Sequence, residues 1–273
     1  GAACREAGRD TPRIMPGTLT SLFAGIDWSR FDYSRQKEAY ARAVKAGELS
    51  QPDRHLPGLS AAGDQVGYLN GGHLFDLNAL RCKDLTEGIM LGRRLAQEML
   101  AFYRKHVPGC ERAELVTTAP LVGVRESRRI VGEYELTVDD YLARRQFDDQ
   151  IGLFNKFIDI HPHDTSDAEW QRFLQEKDDP TWKLKRGECF GIPYPILVPK
   201  GWGNLWAAGR CASADLQTHG VIRVQPAAAM MGQAAGTAAV LCARRQESAA
   251  ALDRSALREA LLEQGAKLQP GDE

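Results

Sequence analysis

The chain has 273 residues, with 35 Lys and Arg against 36 Asp and Glu, a formal net charge of −1. That balance excludes the basic surplus of a nucleic-acid binder and the acidic excess of a solvated tail. Hydrophobic residues make up 43% and charged residues 26%, ordinary globular usage in a length that fits one large domain or two medium ones.

The elements read as follows in chain order. Residues 14–28 are rich in Thr, Leu, Phe and Ile and read as one or two strands. Ser34 heads an amphipathic helix that stops at Gly47. A polar Pro/Gly loop covers 48–64, and GYLNGGH suggests a hairpin turning at Asn70-Gly71. Asp84 with Glu87 forms a capping box for a long helix whose apolar face includes Leu85, Ile89, Ala96, Met99 and Tyr103, ended by Pro108-Gly109. Strands are expected over 113–124 and 129–136. Thr137 caps a short helix with Asp139 and Asp140 in its first turn, and Ser166 with Glu169 heads another to about Lys177. After a charged linker (178–189), short strands are expected at 196–198 and 204–208. A long Ala/Gly helix then runs from about Pro226 to Arg244, and a last amphipathic helix spans 253–265.

The six cysteines, Cys4, Cys82, Cys110, Cys189, Cys211 and Cys242, form no CxxC pair and no zinc spacing, so they read as reduced thiols of a cytoplasmic protein. The Ala/Gly-rich run 227–243 is 17 residues, short of the ~20 that span a bilayer. No membrane and no nucleic acid are expected among the partners.

Four clusters carry chemistry. In LWAAGRCAS, Gly209 lets backbone approach a ligand and Arg210 can meet a phosphate. In THGVIRVQPAAA, Pro226 suits a first helical turn, where amide groups and the helix dipole favour an anion; Arg223 adds a full charge and His219 a titratable ring. An ordinary helix start explains the same residues. Between two expected strands sit Arg125, Glu126, Arg128 and Arg129, either a solvated loop or a grip on a carboxylate. In IDIHPHD, His161 and His163 flank a proline with Asp159 and Asp164 close by. The spacing is unspecific for a metal and no metal site is assigned; His161 alone is kept as a functional candidate. P-loop, GxSxG, HExxH and GxGxxG motifs are all missing from these residues.

Taken together, VGVRESRRIVGEYELT, FIDIH, IPYPILVPKGWGNLWAAGRCAS and HGVIRVQPAAAMMGQAAGTAA resemble the C-terminal two-thirds of FAD-dependent oxidoreductases, over about residues 12–265. The resemblance implies an α/β chain: the C-terminal half of a Rossmann-like FAD domain plus an α+β substrate domain with a mixed or antiparallel sheet. Residues 1–12 would be the tail of a first FAD segment, 13–189 the substrate domain, 190–248 the returning FAD segment, and 249–273 a C-terminal helix and tail. It implies FAD as cofactor, with Gly209, Arg210, Cys211, Arg223, Val224, Gln225, Pro226, Ala227 and Gln233 in contact with it. HGVIR is also similar to the His-Gly-x-x-Arg of succinate dehydrogenase and fumarate reductase flavoproteins, which makes Arg223 a carboxylate-gripping candidate, although the spacing after it differs.

The resemblance further implies hydride transfer from a small polar substrate. His161 or His219 would accept the proton, Arg125 and Arg129 would orient the substrate, and Tyr194 would line the cleft. The GxGxxG unit would be supplied by an N-terminal FAD-binding partner chain, as a subunit or cleavage product, with a higher oligomer possible. The competing expectation is a non-catalytic binding or scaffolding subunit that retains the flavoprotein fold.

Overall fold

Short apolar runs broken by Gly and Pro build short strands, and the longer 3.6-periodic stretches build helices. The computed structural model describes residues 1–11, 13–56 and 58–271. Within them the order is β1 (Cys4–Glu6), β2 (Gly17–Thr18), β3 (Ser21–Ala24), α1 (Tyr33–Lys45), β4 (Leu59–Ala61), β5 (Gly67–Leu69), β6 (His73–Leu74), α2 (Cys82–His106), β7 (Glu114–Thr118) and β8 (Arg128–Ile130). There follow α3 (Val138–Leu142), β9 (Gln150–Phe154), α4 (Asp167–Asp178), β10 (Phe190–Pro193), α5 (Leu216–Ile222), α6 (Gln225–Arg245) and α7 (Arg254–Glu263).

The chain divides into two compact units. One holds Gly1–Pro12, Ser127–Ile160 and Gln175–Glu273; the other holds Arg13–Glu126 and His161–Leu174. Residues 127–160 and 175–189, expected with the substrate domain, thus cluster with the C-terminal part of the chain.

The Arg13–Glu126 unit is built on the antiparallel sheet β4-β5-β3-β7, with β2 paired to β6 beside it. Phe23, Leu59 and Leu69 from the sheet meet Tyr40 of α1 and Met99, Phe102 and Tyr103 of α2 in one core. α1 is capped by Asp32, whose carboxylate accepts from the Ser34 and Arg35 amides, two residues before the expected cap. α2 starts at Cys82 without a side-chain cap. Asp84 instead accepts from the Asn78 amide at 3.2 Å, so the expected capping box does not form. The Asn70-Gly71 hairpin is also replaced: β5 pairs with β3 and β4, while β6 pairs with β2. Strand partners chosen at a distance outweigh the local turn signal here.

The other unit carries the antiparallel ladders β1-β8 and β9-β10. Thr137 and Asp140 close the expected capping box on α3. α6 buries Ala227, Met231, Ala234, Ala238 and Cys242, one stripe at helical spacing. By length and composition α6 is apolar enough to cross a membrane, the one such helix among the described residues. The strands expected at 196–198 and 204–208 do not form. Tyr194–Leu197 is a 3-10 turn, and extended residues 204–208 make one backbone bond, Ala207 N–H to Leu197 O at 2.8 Å, with no neighbouring strand to complete a ladder. Among the described residues every named strand pairing is antiparallel. Parallel contact is confined to the isolated bridges Ala7–Thr11 and Leu136–Ala214. The class is therefore α/β in the broad sense, helices mixed with small antiparallel sheets.

Candidate functional site

In the unit with the C-terminal helices, two of the sequence motifs meet. Gly220 of α5 lies against Asp159 and Ile160. A Cβ there would sit 2.9 Å from Ile160 Cδ1 and 3.1 Å from the Asp159 carbonyl oxygen, so only glycine permits the approach. Three residues on, Arg223 ends α5. Its guanidinium donates to the Asp159 carbonyl at 3.0 Å and to the Asp159 carboxylate at 3.1 Å, with the side chain 10% exposed. Lys156 Nζ reaches the same carboxylate at 3.1 Å. Burial pulls the Lys156 pKa down; Asp159 opposes that pull and Arg223 adds to it. Two cations thus share one carboxylate.

This cluster stands at the start of α6. The N-cap residue Val224 offers no side-chain hydrogen bond, and a proline occupies the first turn. Gln225 and Pro226 are exposed, whereas Ala227 is fully buried. Amides at an uncapped helix N-terminus attract negative charge. Beside them lies the 3-10 turn Gly209–Cys211. Gly209 has φ +75°, and its position would bring a Cβ within 3.5 Å of Ala228 Cβ, so the turn lies directly on the first turn of α6. Arg210 and Cys211 are exposed on this turn. Cys211 Sγ donates to the Ala208 carbonyl at 3.2 Å, and burial raises its thiol pKa. The Thr218 hydroxyl is buried without a hydrogen-bond partner among the described residues. Gln233 points elsewhere, its amide donating to the Gln264 side chain at 3.0 Å and tying α6 to α7.

Other candidates are placed differently from what the sequence led us to expect. Tyr194 lines no cleft. It is 0% exposed, accepts from Trp206 Nε1 at 2.7 Å and donates to the Ala249 carbonyl at 3.0 Å. Burial pushes its pKa up to about 12. His219 is also 0% exposed, enclosed within α5. Arg125 and Arg129 are buried and belong to different units, on either side of the division at Glu126–Ser127. Arg125 donates to the Pro16 carbonyl, and Arg129 sits in β8. Neither side chain is solvated as the loop alternative expected.

His161 lies in the Arg13–Glu126 unit, in its His161–Leu174 segment. Its Nδ1 is 3.0 Å from His73 Nε2, and the His55 ring completes the group. Asp53 is buried beneath them. Sequence reading singled out His161 but passed over Asp53, His55 and His73. The only local signal was the Asp-x-His of 53–55, and His73 lies 88 residues from His161.

A family profile for FAD dependent oxidoreductases matches residues 11–261. The chain belongs to the FAD-dependent oxidoreductase family. No curated protein and no solved structure matches it. Membership implies FAD as cofactor and flavin-linked redox activity. The residues around α6 fit such a group in two respects: an uncapped helix N-terminus and a positive-φ glycine turn against it.

Proposed function

We propose that the chain forms the catalytic part of a flavoenzyme that oxidises a small polar organic substrate. The observation that carries this reading is the Lys156–Asp159–Arg223 cluster at the uncapped start of α6. When bound, FAD supplies the two-electron acceptor for a hydride from carbon. The chain's own residues bind, orient and stabilise charge. The Gln225 and Ala227 amides, with the dipole of a 21-residue helix behind them, hold negative charge that develops at this end. Gly209 and Arg210 hold a ribityl or phosphate portion by backbone approach and a guanidinium fork. Arg223, held against Asp159 by two hydrogen bonds, is pre-oriented to grip an anionic or polar group. Lys156 shares its carboxylate partner and adds a second cation beside it.

Residues 190–248 fit the returning half of a Rossmann-like FAD domain. The adenine and pyrophosphate half would come from polypeptide bearing a GxGxxG fingerprint, joined to these residues or separate. The outer face of α6 supports this. Ala229, Gly232, Gly236, Val240 and Ala243 are all exposed at helical spacing, and Val240 is 50% exposed. Small residues at that spacing suit close packing under further polypeptide.

The test is to purify the chain together with that polypeptide, add FAD and record the visible spectrum. Anaerobic addition of alcohols, amines and hydroxy acids should bleach the flavin absorbance for at least one class. Arg223→Ala should then lower kcat/KM by roughly 10²–10³-fold, the effect of losing one charged donor from a desolvated site. A complex that stays colourless with excess FAD would refute the reading.

A further inference from the structure

We propose that Asp53, His55, His73 and His161 form a second site, for one divalent transition-metal ion of the zinc class. It lies wholly within the Arg13–Glu126 and His161–Leu174 unit and does not depend on the flavin reading. One ring nitrogen from each histidine falls within 4.8 Å of the others. The closest pair, His73 Nε2 and His161 Nδ1, is 3.0 Å apart. A tetrahedral ion with metal–nitrogen bonds of ~2.0–2.1 Å places its ligand nitrogens about 3.3 Å from one another. His73 and His161 already stand near that spacing, and His55 closes on them by up to about 1.5 Å.

The scaffold behind the rings is what a metal site needs. His73 belongs to β6, so its backbone is fixed by the pairing with β2. The Asp53 carboxylate, 4% exposed, accepts from the His55 amide at 3.0 Å and from the His73 amide at 3.2 Å. One of its oxygens also stands 3.0 Å from His73 Nδ1. With an ion bound, a carboxylate at that distance would take the Nδ1 proton as a hydrogen bond and leave the Nε2 lone pair to the metal, the carboxylate–histidine–metal arrangement. Nε2 is the nitrogen that stands 3.0 Å from His161 Nδ1. The Phe173 ring stands edge-on to His55 at 5.5 Å between centroids and limits where it can move.

Three imidazoles suit zinc, copper, iron or nickel over magnesium or calcium. Three protein ligands leave a fourth position for water or a substrate oxygen. His55 and His161 are half-buried, so that position is reachable from solvent.

The experiment uses the full chain, dialysed against chelator and titrated with Co²⁺ by absorbance and with Zn²⁺ by calorimetry. We expect one ion per chain and the visible bands of four-coordinate cobalt. His55→Asn and His161→Asn should each weaken binding at least ~100-fold, and Asp53→Asn about 10–100-fold. His106→Ala, outside the cluster, should change nothing. Absence of cobalt uptake by the wild-type chain overturns the proposal, as does uptake that His55→Asn and His161→Asn leave unaltered. Should those variants lose their circular dichroism, X-ray absorption on the zinc-loaded wild-type chain decides. Three imidazole ligands support the site and fewer overturn it.

Discussion

Asp159→Ala is the sharpest perturbation of the cluster at the start of α6. It deletes the carboxylate shared by Arg223 and Lys156, whose side chains are 10% and 22% exposed. Removing one partner of a fully buried ion pair costs ~3–5 kcal/mol, because the remaining charge stays desolvated. Asp159 itself is 26% exposed, so water recovers part of that loss, and a cost of about 2–3 kcal/mol is expected. With about 2–4 °C per kcal/mol for chains of this size, the melting temperature should fall by roughly 4–12 °C.

The pH dependence gives the result its signature. The folded Lys156 pKa is depressed, by burial first and by Arg223, and loss of Asp159 depresses it more. A base with a lowered folded pKa destabilises while charged, and the penalty is relieved as pH rises from the folded value towards ~10.4. The gap between wild type and Asp159→Ala should therefore narrow from pH 7 to about pH 10, and Lys156→Met should recover part of the loss at pH 7. Differential scanning calorimetry measures all of this. A loss below ~0.5 kcal/mol, or a gap that stays constant with pH, would refute the reasoning.

Four further outcomes are expected. Gly92→Ala should destabilise by about 1–2 kcal/mol, since its new methyl would meet Leu19 Cβ at 2.5 Å, an atom that cannot swing aside; overpacking outweighs the helix-propensity gain of ~1 kcal/mol. Gly88→Ala meets only the terminal methyl of Leu77 and should change the melting temperature by less than ~2 °C. Tyr194→Phe leaves Trp206 Nε1 and the Ala249 carbonyl without their shared hydroxyl and should cost ~1–2 kcal/mol in urea unfolding. Asp140→Asn should cost ~1–2 kcal/mol at pH 7. Burial raises the Asp140 pKa, but Tyr134, Thr137 and Arg145 together lower it below the ordinary value. Its stabilisation is thus present above ~3.9 and fades as pH falls through the folded value, so acid titrations of wild type and variant should converge.

What was legible in the sequence was local. Thr137 and Asp140 are three residues apart, and their reciprocal cap formed as read. The small-residue periodicity after Val224 yielded α6. Asp32 displaced Ser34 as a cap because either residue type fits and only the chain's entry angle decides. Where partners lie far apart, local signals failed. Leu69 and His73 flank a good turn dipeptide, yet each found its neighbour on a different strand. Residues 204–208 have strand composition but no strand beside them. The same divide runs through the sites. Arg223 was visible as a charge beside a helix start, but Asp159, 64 residues earlier, became its partner only in the fold. His161 was visible, while His55 and His73 carried no spacing that pointed to it.

The exposed stripe of Ala229, Gly232, Gly236, Val240 and Ala243 also bears on how the chain is made. Small side chains leave backbone close to the surface, and α6 offers water few polar groups along that line. During synthesis the helix emerges with this apolar side in water. Whatever apolar surface arrives first will seat there, a second copy, a chaperone or detergent among them. Yield then becomes a race set by concentration and timing. If the polypeptide proposed above covers this face, producing the two together should shift the outcome from aggregate to native assembly more strongly than any choice of buffer or temperature.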